Sequence, residues 1–317
     1  MPSYSGVWTL TAQYQAKGGG QWNPPGPPTG VFAGGINASG VLNVIDYISI
    51  ATTGNALDFG DLSSNLQGLF GCSSSTRGVF AGGELVNTIQ YITIATTGNT
   101  TPFGELISVQ MQGGGCSSST RGLFAGGYGP AYATVNTIQY ITIATTGNAT
   151  SFGQLTVARY DLAGCSSPTR GVFGGGYDAG ARTSVIDYVT IASTGNATSF
   201  GTLTVARYKL ASCSSSTRGL FGGGFQAAAP YYANVIDYIT IATTGNATTF
   251  GYLTVSRYAP ASCSSTTRGV FAGGNTATDS NVIDYVTIDS TGNATDFGDL
   301  TVARYNLAGC SNAHGGL

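Results

Sequence analysis

The chain has 317 residues, 42% hydrophobic and only 8% charged, with 49 glycines, 18 tyrosines, 14 phenylalanines and a formal net charge of -2. That is enough apolar material for a sizeable core, whereas the near-neutral charge offers no basic field for holding phosphates, so nucleic acid is excluded as an expected partner. No apolar run approaches the roughly eighteen residues of a membrane span, and the opening run from Met1 to Gly6 lacks a basic stretch followed by an apolar one, so membrane insertion is not expected either.

Residues 1–28 stand apart. They hold both tryptophans, Trp8 and Trp22, and five of the ten prolines. Thr9 or Thr11 is placed to cap a short helix running through Gln13, Tyr14 and Ala16 and stopped at Gly18–Gly20, after which Pro24–Pro28 reads as a stiff linker. The expectation is a short helical docking segment, using Trp8, Tyr14 and Trp22, attached to a separate domain over residues 29–317.

From residue 29 one unit recurs six times. Its anchor Thr-Gly-Asn places glycine at Gly54, Gly98, Gly147, Gly195, Gly245 and Gly292, at spacings of 44 to 50 residues, the mark of a repeat architecture. In chain order each unit offers a hydrophobic strand closed by two glycines (Gly30–Gly35, then from Gly78, Gly122, Gly171, Gly219 and Gly269) and a second strand such as Asn43–Tyr47. The Thr-Gly-Asn turn follows, then a strand opening on Phe-Gly and a small-residue strand such as Leu162–Ser167. β-branched residues and tyrosine fill the strands, Gly, Asn and Ser punctuate them, and no helical period runs past residue 28. Four short strands cannot bury both faces alone, but six such sheets packed around an axis do, which predicts an all-β, six-bladed propeller. Leu307–Ser311 matches the inner strand of a further unit and is expected to complete the blade that begins at Gly30, since sealing the ring removes open strand edges.

The order of a small-residue inner strand, a Thr-Arg-Gly turn, a strand closing on a diglycine, a strand containing tyrosine and a fourth strand ending in arginine resembles kelch repeats across about residues 29–311. Phe59, Phe103, Phe152, Phe200, Phe250 and Phe297 stand in for the tryptophan of that pattern. In the first 28 residues, Gly6–Leu10, Gln15–Ala16 and Gly20–Trp22 resemble an N-terminal motif of structural proteins of tailed bacteriophages, particularly marine ones, where repeats rich in Thr-Gly-Asn-Ala-Thr also occur. The two resemblances imply a virion-associated tail-fibre, receptor-binding or decoration protein whose ring binds partners through its loop face.

Enzyme chemistry is not expected. Cys72, Cys116, Cys165, Cys213, Cys263 and Cys310 hold one equivalent position per unit, on six different inner strands, and read as small packing residues rather than as disulfides or a metal cluster. The single histidine, His314, falls on what reads as a frayed tail, which removes histidine-based triads and multi-imidazole metal sites; neither a cofactor nor a metal is expected. Asp46, Asp187, Asp237 and Asp284 recur at one strand position where two other units carry Gln90 and Gln139. That alternation argues for a hydrogen-bonding blade residue without an obligatory charge rather than for paired catalytic carboxylates.

The strongest functional signal is where the repeats refuse to repeat. The Thr-Arg-Gly and Thr-Gly-Asn segments fall on one face of the disc and hardly vary, whereas the opposite face carries loops ranging from Glu84–Val86 to Phe225–Ala233, together with the crossovers between blades. Variable loops on a rigid scaffold are where binding tends to reside. The candidate ligand-facing residues are Tyr128, Tyr132, Tyr177, Phe225, Tyr231 and Tyr232, with the crossover arginines Arg159, Arg207, Arg257 and Arg304, whose competing role is to hold adjacent blades through loop carbonyls. The expected ligand is a host surface glycan or envelope component; other virion proteins, through the first 28 residues, and further copies of the chain are the other expected partners. The expected location is the extracellular particle, and the alternative is an extracellular or cell-surface carbohydrate-binding propeller.

Overall fold

The computed structural model describes residues 27–178 and 180–317, so Trp8, Tyr14, Trp22 and the helix expected around them lie outside the described residues. Six four-stranded antiparallel sheets follow one another around an axis, as the repeat count predicts. Blade 2 shows the order from the axis outward: Phe70–Ser73, Arg77–Ala81, Thr88–Thr93 and Thr101–Glu105. Blades 3 to 6 repeat it from Gly114, Ala163, Ala211 and Ala261. Blade 1 is made from both ends of the ring, with Ala308–Ser311 paired antiparallel to Thr29–Ala33 in the register Gly30 to Ser311 and Ala33 to Ala308. The expected closure is present.

The core lies between blades, because each sheet buries both faces against its neighbours. Val31, Ile45 and Phe59 of blade 1, for example, pack on Phe80, Ile92 and Ile94 of blade 2. In every blade the tyrosine of the third strand meets the substituted phenylalanine edge to face, as in Tyr47 with Phe59 at 5.8 Å and Tyr188 with Phe200 at 6.0 Å, a favoured aromatic geometry. The cysteines are free and buried. Each thiol faces the glycine in second position of the second strand of the next blade rather than another sulfur: a Cβ on Gly78 would fall 2.8 Å from Cys310 Sγ, and one on Gly122 would collide with Cys72 Sγ. Burial in that apolar seam raises the thiol pKa of all six, Cys165 to about 12.

Two features depart from the sequence expectations. The Thr-Gly-Asn segment is not the turn itself, since the chain bends at residues 50–52 and then runs extended along the outer edge of the preceding blade. Gly98 N–H donates to Phe59 O (2.7 Å), Thr100 N–H to Asp61 O (3.0 Å), and Asp61 N–H returns a bond to Asn99 Oδ1 (2.9 Å). The motif recurs because it covers an outer strand edge that would otherwise be open to pairing.

The tail is not frayed. Close to the axis the serine hydroxyls form a closed ring, Ser73 Oγ donating to Ser311 O, Ser117 to Ser73, Ser166 to Ser117, Ser214 to Ser166, Ser264 to Ser214 and Ser311 to Ser264, at 2.6–2.8 Å. Residues 312–317 fold across this end of the axis: His314 Nε2 lies 3.1 Å from Ser73 O, Gly315 N–H donates to Ser214 O (2.9 Å), and Gly316 N–H donates to His314 Nδ1 (3.0 Å). With Nδ1 accepting, the imidazole is neutral with its proton on Nε2, and burial pushes its pKa down to about 4. An unfolded histidine titrates near 6.5, so unfolding takes up a proton between pH 4 and 6.5; the stabilisation is fully present above that window and is lost as pH falls through it. Calorimetry should show the melting temperature falling over that window in the wild type and a shallower fall in His314→Gln.

Candidate binding face

The crossovers and the loops after the diglycines share one face and pair there through their backbones. Tyr177 N–H donates to Tyr160 O (2.8 Å) and Tyr160 N–H to Tyr177 O (3.1 Å); Tyr305 with Ile36 and Tyr258 with Asn275 do the same. Adjacent residues of an extended segment point to opposite sides, so in each Arg-Tyr dipeptide one side chain must face inward.

The structure turns the arginines inward. Arg159, Arg207, Arg257 and Arg304 have no exposed surface and pair with Asp187, Asp237, Asp284 and Asp46 at 2.8–2.9 Å. Each also donates to a carbonyl of the blade it enters, as Arg207 does to Phe221 O (2.9 Å) and Val235 O (2.9 Å). Desolvation lowers the pKa of Arg159, Arg207 and Arg257, an effect opposed by the neighbouring aspartate charge. The four arginines, expected among the ligand-facing residues, therefore hold blades together from within. The charge of the aspartate is likewise matched rather than dispensable. Where the crossover carries Gln110 in place of arginine, the partner is Gln139, which donates to it, and where it carries Leu66 the position is Gln90.

The tyrosines beside them face outward. Tyr160, Tyr208, Tyr258 and Tyr305, on the crossovers but not among the expected ligand-facing residues, complete a continuous aromatic arc with the expected loop residues. Tyr132 meets Tyr128 at 6.1 Å, Tyr128 stacks on Tyr160 at 4.0 Å, and contacts at 5.2–6.0 Å continue through Tyr177, Tyr208, Phe225, Tyr258 and Tyr305. Tyr231 and Tyr232 flank Phe225, and Tyr132 and Tyr231 are more than half exposed. Arg182 lies 5.1 Å over the Phe225 ring and Lys209 Nζ 5.5 Å over that of Tyr258. Partial burial raises the phenol pKa of Tyr128, Tyr160, Tyr208 and Tyr258, so these rings are neutral near pH 7. The arc stops where the crossovers carry Gln67 and Met111 instead of tyrosine.

Inside the arc, one residue from each crossover closes the axis. Gln112 N–H donates to Gly68 O, Asp161 to Gln112, Lys209 to Asp161, Ala259 to Lys209, Asn306 to Ala259 and Gly68 to Asn306, at 2.5–3.0 Å, so the backbone forms a six-membered hydrogen-bonded ring. Five of the six are not glycine, yet all lie in the left-handed region with φ of 51–66°, each at a cost of order 1 kcal/mol. Asp161 Oδ2 is buried there without a hydrogen-bond partner, and burial raises the carboxyl pKa to about 7 against the opposing charge of Lys209. The signal for this ring is legible in the repeats, since Gly68, Gln112, Asp161, Lys209, Ala259 and Asn306 differ at one aligned position shortly before a constant inner strand.

Compared with known proteins, the chain matches no family model and no curated sequence.

Proposed function

We propose that this propeller is a non-enzymatic binding component of a tailed-phage virion, kelch-like in using its loop face, and that it takes a host surface glycan on the aromatic arc. The observation that carries the reading is the unbroken run of ring contacts from Tyr132 to Tyr305 around a strained axial ring. Neutral aromatic faces bury the C–H surfaces of sugars at small entropic cost, and Asp161, Lys209, Gln112 and Asn306 supply polar groups for hydroxyls beside them. A non-catalytic role agrees with the use of the recurring aspartates and His314 as internal supports. The resemblance of residues 1–28 to phage structural proteins supports a virion location with that segment as the point of attachment.

The test is to replace Tyr231 and Tyr232 together, and Tyr208 separately, by alanine and to measure glycan-array binding and adsorption to host cells. Truncation at a hot spot costs about 2 kcal/mol, close to thirtyfold in affinity, and melting should be little changed in the Tyr231 and Tyr232 variant. Full retention in both variants, with loss instead on altering the Thr-Arg-Gly face, would reverse the assignment of the faces. Mass spectrometry of purified particles tests the location.

A further inference from the structure

Five of the six seams between blades carry one guanidinium clasp, on the face opposite the aromatic arc. Arg77, Arg121, Arg170, Arg218 and Arg268 each lie 4.6–5.0 Å over the tyrosine of their own blade. Their Nη1 atoms reach carbonyls of the next blade: Arg77 donates to Ile143 O (3.0 Å) and Ala144 O (2.9 Å), Arg170 to Ile241 O (3.0 Å) and Ala242 O (2.7 Å), and Arg268 to Ile50 O (3.1 Å) and Ala51 O (2.9 Å). At the seam between blades 1 and 2 the clasp has no arginine. Thr29 lies opposite Ser49 as Arg77 lies opposite Thr93, and its hydroxyl turns back to Pro27 O (3.0 Å). Among the described residues no cation lies over the Tyr47 ring, and no side chain donates to Ile94 O or Ala95 O. These groups line a cleft with Pro27, Pro28 and Asn312. Arg268 also lines it, its Nη1 donating to Ile50 O and Ala51 O of blade 1.

We infer that this seam is a binding site for an arginine side chain of a partner polypeptide. The five filled clasps are the template: an aromatic face for the plane of the guanidinium and, for its N–H groups, two adjacent carbonyl oxygens in four of them and one, Ile288 O, at Arg218. Residues 1–26 contain no arginine, and Lys17 is their one cationic side chain. The ten arginines of the propeller all lie elsewhere, five in the other clasps, four in the buried ion pairs and Arg182 over the aromatic arc.

N-acetyl-arginine amide titrated into the full chain and followed by NMR tests this, with N-acetyl-citrulline amide as the neutral isostere. Wild type is expected to show saturable one-site binding, at least about tenfold weaker for the citrulline probe. Thr29→Arg is expected to abolish binding and to raise the melting temperature, because it fills the site with its own guanidinium. If that variant does not fold, Tyr47→Leu, which removes the aromatic face, is expected to weaken binding. Absence of saturable binding to wild type, or undiminished binding to the substituted chain, overturns the assignment. Binding that emerges only in Lys17→Ala assigns the seam to the chain's own lysine and overturns the partner reading.

Discussion

Deleting residues 305–317 is expected to cost about 5 kcal/mol or more, enough to bring the ring close to unfolding. The deletion removes the inner strand of blade 1, the buried Leu307 and Ala308, the thiol that fills the space over Gly78, and Ser311, which closes the axial serine ring through bonds to Ser73 and Ser264. Loss of one buried leucine side chain alone is worth about 2–5 kcal/mol, and each lost hydrogen bond adds about 1 kcal/mol. The second strand of blade 1 would then present a bare edge beside the axis. Differential scanning calorimetry should show melting lowered by about 10–20 °C, or aggregation before any transition. Unchanged melting would mean that the ring does not depend on its last strand.

The second large effect is expected at the buried ion pairs. Asp237 accepts from Arg207 Nη2 (2.9 Å) and from the Thr204 hydroxyl (2.6 Å) and backbone N–H (3.2 Å), with neither charge exposed. Asp237→Ala leaves the guanidinium buried and unpaired, and the expected loss is about 3–5 kcal/mol, read as a lowered urea midpoint with unchanged slope. Blade 3 provides an internal control, because Gln110 and Gln139 hold the same position without charge. The double substitution Arg207→Gln with Asp237→Gln is therefore expected to recover most of the loss, and a double-mutant cycle measures the coupling. If the single variant is as stable as wild type, the pair contributes only to packing.

The same pair shows where sequence reading runs out. Asp46, Asp187, Asp237 and Asp284 alternate with Gln90 and Gln139, which on its own suggests a tolerant polar position. Only the fold brings each aspartate under the arginine of the crossover entering its blade, 27–30 residues away along the chain in three cases and 258 in the fourth, Arg304 with Asp46. The pattern of Asp with Arg and Gln without it is present in the sequence, but its meaning depends on which side of the crossover faces the core. That side was decided by strand alternation acting at Arg159–Tyr160 and its equivalents, which buries the arginine and exposes the tyrosine.

The repeat by itself determined the blade count, the closure by Leu307–Ser311 and the division into a uniform and an individual face, because period, strand pattern and loop length are local properties of the chain. Tertiary structure alone decided what the repeated polar residues do. The Thr-Gly-Asn segment covers a neighbour's edge, the axial crossover residues close a left-handed ring, and His314 seals the opposite end, since all three satisfy backbone groups belonging to other blades. A hydrogen-bond partner about forty or more residues away leaves no mark on local periodicity, and it becomes visible only when six sheets are brought round one axis.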